Sequence, residues 1–232
     1  MPGSGPTTRR NKGSSKSKLN REAIISAALV MVKSKDERRI TLRRIAAELD
    51  TGPASIYVYF RNASELNAAI LDELLRSVPR QRPAQTADSL ASVTRTLWSY
   101  CQVLARHPSF AHSALVTRPF GPRYLSIVDG LLRTLLAGGA SEGQAAWGAD
   151  LLLQYATSTA IEHGTRHGSS MERDEEEIIS RVVDNIDHEK YPAIAGLGRD
   201  ILSGSPRERF EWDVSAVYAG IVSAPRPRLG RK

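Results

Sequence analysis

Apolar residues recur along most of the chain at the three- and four-residue spacing of an amphipathic helix. The first such stripe runs from Ile24 to Val32, and the next contains Leu42, Ile45 and Leu49. No segment shows a convincing alternation of apolar and polar residues of the kind that marks a half-buried strand. The pattern therefore predicts an all-α protein.

Cap residues and turn residues place the ends of four N-terminal helices. Asn20, Thr41 and Asn62 each precede an apolar stripe, as N-cap residues do. The segment Asp50-Thr51-Gly52 is a turn signal, and Pro53 after it suits the first position of a helix. The predicted helices run from 20 to about 35, from 41 to 49, from 53 to 60 and from 62 to 78.

Longer helical patterns fill the rest of the chain. Pro and Gly turn signals separate them, for example Gly138-Gly139 and the segment from Ser203 to Pro206. The predicted helices cover about 87–106, 109–116, 122–138, 142–167, 173–189 and 206–223. We therefore expect a flexible basic arm at 1–18, a head at 19–78, a helical domain at 79–224 and a basic tail at 225–232.

Positive charge concentrates at one end of the 232-residue chain. Residues 1–61 contain 13 Lys/Arg and 5 Asp/Glu, a balance of +8, whereas the whole chain carries +7, so the remainder nets −1. Such a local surplus suits a polyanion, of which nucleic acid is the commonest. The single Cys101 excludes a disulfide framework, and no apolar run reaches the ~20 residues of a membrane-spanning helix. We expect a cytoplasmic nucleic-acid-binding protein with no membrane partner.

The two short helices around residues 50–52 have the form of a helix-turn-helix, whose second helix enters the major groove of DNA. The run from Ile40 to Leu66, ITLRRIAAELDTGPASIYVYFRNASEL, resembles the DNA-binding signature of the TetR, or tetracycline-repressor, family. The resemblance is strong over residues 20–75. It implies a homodimer on a palindromic operator, with a three-helix head joined by its fourth helix to an all-helical regulatory domain.

The resemblance also assigns DNA contacts. Arg43 would reach a base edge or a phosphate, and two threonines would hydrogen-bond phosphates. The third helix would lie in the major groove, with Ser55 and Tyr59 nearest the bases and Tyr57 on the backbone. The predicted DNA-binding residues are Thr41, Arg43, Thr51, Pro53, Ala54, Ser55, Tyr57, Tyr59 and Arg61.

The chain departs from the family pattern at the start of the fourth helix. Family members commonly have a phosphate-contacting Lys there, whereas this sequence has Ala63. Either Arg61 or the N-terminal arm would supply the missing cation; the basic residues of the arm are Arg9, Arg10, Lys12, Lys16 and Lys18. The arm either enters the minor groove or only keeps the protein in solution.

Residues 87–223 resemble, more loosely, the C-terminal domain of the tetracycline-repressor subgroup. The local matches are Thr117-Arg118-Pro119, Ile161-Glu162-His163 and the segment from Arg209 to Trp212. By this resemblance, the helices near 143–166 and 207–223 pack against their copies in a four-helix dimer interface. Small residues would allow close approach there: Ala145, Ala146, Gly148, Ala149, Ala156, Ala160, Ala216, Ala219 and Gly220.

An unknown small-molecule effector is expected between the helices of this domain, in a largely apolar cavity. The candidate lining residues are Trp98, Tyr100, Cys101, Leu104, Leu115, Arg118, Ile127, Leu131, Trp147, Leu151 and Tyr155. Ordinary core packing is the alternative role for these residues, apart from Arg118, a cation beside a proline in an interhelical loop. Drug sensors of the subgroup have a metal-linked histidine where this chain has Ala114, so magnesium–tetracycline is not the predicted effector.

Other chemistry is not indicated by the sequence. An enzyme would need a nucleophile with its base, paired carboxylates or a phosphate-binding Gly loop, and none stands at a recognisable spacing. His163 and His167 are four residues apart but have no identifiable third ligand, so a solvated helix end is favoured over a metal site. We predict no enzyme activity, cofactor or metal. By the resemblance, the predicted function is that of a repressor that binds a palindromic operator as a homodimer and is released by a small molecule. The alternative is a non-specific nucleic-acid-binding or nucleoid-associated helical protein.

Overall fold

The computed structural model describes residues 19–33, 40–79, 88–116, 119–166 and 170–225. Within these ranges the chain forms α-helices and no strand, which confirms the predicted all-α class. The helices are α1 (Arg21–Lys33), α2 (Leu42–Glu48), α3 (Pro53–Tyr57), α4 (Ala63–Leu74), α5 (Ser89–Ala105), α6 (Pro108–Val116), α7 (Pro122–Ala137), α8 (Glu142–Arg166), α9 (Ser170–Asp184), α10 (Pro192–Leu202) and α11 (Pro206–Ser223). A turn of 3-10 helix (Leu75–Ser77) follows α4.

Three of the N-terminal helices begin where their cap residues predict. The side-chain oxygens of Asn20, Thr41 and Asn62 each accept a backbone N–H from three residues later, at 2.7, 3.2 and 2.8 Å. A cap of this kind stabilises a helix by roughly 1 kcal/mol. The starts of α1, α2 and α4 are therefore determined locally.

The turn between α2 and α3 is left-handed at Asp50, whose φ is 46°. Gly52, by contrast, has an extended conformation with φ −76° and ψ 146°. The Asp50 N–H donates to the Ala47 carbonyl at 3.2 Å, and the Thr51 N–H donates to the Ala46 carbonyl at 2.9 Å. These are the two bonds of a Schellman motif, in which the left-handed position usually holds glycine. The turn therefore carries a small conformational cost at Asp50.

The inner faces of the N-terminal helices share one hydrophobic core with the rest of the chain. Ile24, Ile45, Ile56 and Phe60 are fully buried, and burying each such side chain contributes roughly 1.5–3 kcal/mol. Helix α4 contributes to the same core and packs against α1 on one side and against α6 and α7 on the other. α4 is therefore the element that connects the N-terminal helices to the larger helical body.

One helix, α10, was not predicted from the sequence. It contains Gly196 and Gly198, and a glycine in a helix interior costs about 1 kcal/mol relative to alanine. A Cβ at Gly198 would lie 2.2 Å from Val183, so this glycine allows α10 to pack closely on α9. Helix α9 itself spans 170–184 rather than the predicted 173–189. Tertiary packing thus overrides a poor local helix propensity.

No helix in the described part of the chain combines the length and the apolar character that crossing a membrane requires.

Candidate nucleic-acid interface and effector domain

Helices α2 and α3 expose the side that carries most of the predicted DNA-binding residues. Arg43, Ala54 and Tyr57 are exposed, whereas Ile45 and Ile56 on the opposite side are fully buried. Three further predicted residues are exposed and three are half-buried: Thr41, Pro53 and Arg61, then Thr51, Ser55 and Tyr59. The helix pair thus separates a core side from a polar outer side.

The two threonines differ in what they can offer to a phosphate. The Thr51 N–H already donates to the Ala46 carbonyl, so only its hydroxyl is left for the predicted contact. The Thr41 hydroxyl oxygen accepts the Arg44 N–H as an N-cap, at 3.2 Å. Because a hydroxyl both accepts and donates, the Thr41 O–H can still donate outward.

Tyr59 has a partner within the N-terminal head. Its hydroxyl donates to the Leu19 carbonyl at 2.7 Å, and its ring is half-buried against the core. The proton of the hydroxyl is therefore donated within the N-terminal head. Val58, which the sequence analysis missed, is 79% exposed. Its position four residues after Ala54 places it on the same side of the helix.

Arg21, which the sequence analysis also missed, is an exposed residue that ties the end of α3 to α1 and α4. Its guanidinium donates to the Tyr59 carbonyl at 2.9 Å and to the Glu65 carboxylate at 3.2 Å, and it lies 4.2 Å from the centre of the Phe60 ring. Glu65 also accepts the Arg61 N–H at 2.9 Å. That bond, with the nearby Arg21 charge, holds the pKa of Glu65 below its usual range. The ends of α1, α3 and α4 are thus tied together.

The predicted effector residues fall into three groups, of which the first fills the core of the helical body. These residues are at most 6% exposed: Tyr100, Cys101, Leu104, Ile127 and Leu131. The Tyr100 hydroxyl lies 3.2 Å from the Thr157 hydroxyl. Burial raises the pKa of the Cys101 thiol to about 12 and raises the pKa of Tyr100 as well. This group is therefore an apolar core with a small polar centre.

The second group lies on the outside, which corrects the prediction for three residues. Leu115, Trp147 and Leu151 are 52%, 49% and 50% exposed. Trp147 and Leu151 belong to the outer stripe of α8, because the stripe that includes Leu152 is the buried one. Arg118 lies outside the described residues, as do Thr117 and the basic residues of the arm.

The third group, Trp98 and Tyr155, meets on Phe210 of α11. The ring centroids lie 5.1 and 5.5 Å from that of Phe210. The Tyr155 hydroxyl donates to Asp213 at 2.6 Å, and burial together with this carboxylate raises the pKa of Tyr155. Trp98 also lines a cavity of about 570 Å³ with Gln102, Ala105, Arg106, Pro108, His163, Gly164, Ser205, Pro206 and Arg207.

Ile127 reaches a second, smaller cavity of about 170 Å³ between the end of α4 and the start of α7. The other residues that line it are Leu75, Arg76, Val78, Pro79, Pro122, Arg123 and Ser126. Trp98 and Ile127 therefore border different cavities.

Residues 82–224 match the protein family described as "Tetracyclin repressor-like, C-terminal domain". The chain belongs to this family. The tetracycline repressor protein class C of Escherichia coli is 23% identical over 206 residues, which cover 88% of this chain and 91% of that protein. These matches confirm the resemblance stated from the sequence.

Solved structures agree with the assignment to the TetR family. The transcription regulator SCO7704 from Streptomyces coelicolor is 38% identical with a TM-score of 0.73, and covers 92% of this chain and 100% of its own. ActR from Streptomyces coelicolor, in complex with actinorhodin, is 25% identical with a TM-score of 0.80. The match covers 88% of this chain and 96% of the ActR chain. The protein is therefore a TetR-family transcriptional regulator and not an enzyme.

In this TetR-family chain, α8 and α11 lie side by side. The Gln144 side-chain amide donates to the Val222 and Ala224 carbonyls at 3.2 and 2.8 Å, which ties the start of α8 to the end of α11. The outer face of the pair exposes Trp212, at 71%, in addition to Trp147 and Leu151. We define this outer face, Trp147, Leu151 and Trp212, as the tryptophan face.

Five of the small residues predicted for a dimer interface instead face the interior of the protomer. They are buried, in the stripe of α8 that packs inward: Ala145, Gly148, Ala149, Ala156 and Ala160. A Cβ at Gly148 would lie 2.7 Å from Ile221 of α11, which shows how closely the two helices approach. The remaining four are exposed: Ala146, Ala216, Ala219 and Gly220.

The TetR-family chain also shows no metal-binding cluster in its described ranges, where no group of three His, Cys, Asp or Glu residues could hold an ion. His112 Nδ1 lies 2.9 Å from the Pro108 carbonyl of its own helix, and Ala114 is buried. His167 lies outside the described residues.

Proposed function

We propose that this TetR-family regulator is a homodimeric repressor that binds a palindromic operator through α2 and α3 and leaves it when a small organic molecule binds. The observation that carries the proposal is the outer surface of these two helices. Arg43 and Tyr57 offer a cation and a hydroxyl there, while Ala54 and Val58 offer apolar atoms. These are the groups that read phosphates, base edges and thymine methyls.

The residues proposed to contact DNA are those of the exposed and half-buried outer surface. They are Thr41, Arg43, Thr51, Pro53, Ala54, Ser55, Tyr57, Val58 and Arg61. Tyr59 and Arg21 are proposed to hold α3 in place. The DNA-binding unit is proposed to span 19–78, and the effector and dimerisation unit 79–224.

The tryptophan face supports the proposed dimer. Three large apolar side chains that are about half to three-quarters exposed form a surface of the kind that marks a protein interface. A two-fold axis through α8 and α11 would pair this face with its copy and bury all three residues. The same axis would present two DNA-binding heads to half-sites about one helical turn apart.

The effector is proposed to bind among α5, α7 and α8. ActR has been solved with actinorhodin, which supports an organic effector in this family. In this chain the region is an apolar core whose polar groups include the Tyr100 and Thr157 hydroxyls. Because the core residues are packed there, entry of an effector requires side chains to move and helices to shift.

The proposal is tested by selecting bound duplexes from a random DNA library with the purified protein at about physiological salt. A palindromic consensus supports a sequence-reading dimer and supplies an operator for effector screening. Binding that weakens with salt, with a slope near −0.9 per phosphate neutralised, but yields no consensus indicates non-specific binding instead. Absence of DNA binding would refute the proposal.

A further inference from the structure

A carboxylate from the DNA-binding end of the molecule caps a helix of the regulatory body. Asp72, near the end of α4, is only 9% exposed. Its Oδ1 accepts the backbone N–H groups of Arg123 and Tyr124, both at 3.0 Å. The N-cap residue of α7 is Gly121, which has no side chain to accept these bonds. Two backbone N–H groups in the first turn of α7 are therefore hydrogen-bonded by a side chain of α4, which lies 51 residues before Arg123 in the chain.

Gly121 makes room for this contact. Its φ is −68°, a value that any residue adopts, so its backbone conformation does not require glycine. A Cβ at this position would lie 2.1 Å from the Asp72 Cγ, however, which is closer than two such atoms can approach. A second link, between Arg123 and Glu73 at 3.9 Å, lies beside it. Asp72 and Gly121 thus form a fitted junction between α4 and α7.

The two hydrogen bonds of the junction restrict the relative position of α4 and α7 more narrowly than the apolar packing around them. Apolar side chains between packed helices can slide past one another, whereas a carboxylate that accepts two N–H groups at a helix start has a narrow geometry. The helix dipole also favours a negative charge at that position. Helix α7 continues from the junction into the core, where Tyr124 lies near Tyr100, with ring centroids 6.5 Å apart.

We propose that Asp72 is a positioning residue that sets the angle of the DNA-binding head against the regulatory body. The inference rests on the proposed function, because it assigns the α4–α7 junction to operator recognition and its control. A shift of α7 caused by an effector would act on α4 through the two hydrogen bonds of Asp72. The spacing of the two heads in the dimer then depends on the Asp72 carboxylate.

Three variants and a control separate positioning from folding. D72A removes the acceptor, D72N keeps an oxygen that can accept both N–H groups, and G121A pushes the two helices apart. D129A is the matched control, since Asp129 is an exposed acid on α7 that pairs with Arg133 and lies six residues after Arg123. Light scattering and thermal unfolding establish that each variant is a folded oligomer like the wild type.

The first measurement is affinity for a series of operators whose half-sites are separated by different numbers of base pairs. Wild type, D72N and D129A are expected to prefer one spacing. D72A and G121A are expected to lose about tenfold of that preference, the order of one hydrogen bond to a charged group, while their affinity for an isolated half-site is unchanged. Wild-type spacing preference in folded D72A and G121A would overturn the inference. Weaker binding to the half-site by both would overturn it as well, because Asp72 would then support the head itself.

The second measurement needs no operator, so it separates failure of this inference from failure of the proposed function. Spin labels are attached at S26C on α1 and A91C on α5, both exposed positions, and labelled chains are diluted with unlabelled protein. Cys101 is fully buried and does not compete for the label. Pulsed EPR is expected to give one narrow distance for wild type, D72N and D129A, and a broader or shifted one for G121A and D72A. If D72A does not fold, the distance measured in G121A is the deciding result. A wild-type distance in G121A would contradict the proposal that the junction positions the head.

Discussion

The DNA-binding head and the regulatory body differ in how far their candidate binding residues are exposed to solvent. In the head, Arg43 and Tyr57 are exposed on α2 and α3, and the hydrogen bonds of Arg21 and Tyr59 tie the end of α3 to α1 and to Leu19. In the regulatory body, candidates such as Tyr100 are packed in the core. The head presents a preformed surface, which lowers the cost of ordering on binding DNA. Under the proposed function, the body rearranges to admit an effector, and this rearrangement allows effector binding to shift the conformation.

The largest effect is expected at the tryptophan face, because both regions depend on dimerisation. W212E places a charge on a side chain that is 71% exposed in the protomer and would be buried in the dimer. Burying an unpaired charge in an interface costs several kcal/mol, so operator affinity is expected to fall by about 100-fold or more. Light scattering should show a monomer. L125E, a similar change at a 53% exposed residue of α7, should remain a dimer. Dimeric W212E with wild-type operator affinity would exclude α11 from the interface.

The next effect separates two tyrosines of the head. Tyr57 is 54% exposed, whereas the Tyr59 hydroxyl donates to Leu19. Y57A is expected to reduce operator affinity by about 10- to 100-fold, the range of a lost specific contact, without changing the unfolding midpoint. Y59F should instead lower the free energy of unfolding by about 1 kcal/mol. Operator titration and chemical denaturation of both variants test the contrast, and the reverse assignment of effects would contradict it.

Local signals explain why much of the head could be predicted from the sequence. Asn20, Thr41 and Asn62 act on backbone groups three residues away, so their positions alone define where helices begin. The sequence pattern placed Tyr59 in the third helix, which in the structure ends at Tyr57. It could not show the partner of Tyr59, because Leu19 lies 40 residues earlier. Arg21 escaped notice for the same reason, since its contacts are 38 and 44 residues away.

The regulatory body was less predictable because its helices are apolar on more than one side. Leu151 and Leu152 are adjacent in α8, yet the first is half exposed and the second is fully buried. Periodicity identifies the helix but does not decide which of two apolar stripes faces the protomer core. Asp72 is an acid within an otherwise ordinary helix, and only the fold reveals that it caps α7. Long-range packing therefore supplies the information that the sequence pattern lacks.

A smaller effect tests whether the turn between α2 and α3 is as preformed as the rest of the head. Asp50 has a left-handed conformation, so D50G is expected to raise the free energy of unfolding by about 1 kcal/mol. Gly52 has an ordinary φ, and a Cβ there would meet no atom within 4 Å. G52A should therefore leave stability nearly unchanged and serves as the matched control. Chemical denaturation measures both, and destabilisation by D50G would show that the Asp50 side chain has a role of its own.

The smallest effect concerns the pH dependence of the head. The pKa of Glu65 is lowered from 4.5, first by the Arg61 N–H and also by Arg21. A carboxyl with a lowered pKa in the folded state contributes stability above its unfolded pKa and loses it as the pH falls through the folded value. E65Q should therefore be less stable than wild type at neutral pH, and the difference should shrink as the pH falls below about 4.5.

Unfolding midpoints measured from pH 7 down to about pH 3 test this dependence, since the range spans the ordinary pKa of a glutamate. R21M removes one partner of Glu65 but leaves the Arg61 N–H in place. It should therefore reduce the pH-dependent difference without abolishing it. Parallel curves for wild type and E65Q over the whole range would mean that the charge of Glu65 does not stabilise the head. Arg21 would then hold α3 through the Tyr59 carbonyl and the Phe60 ring instead.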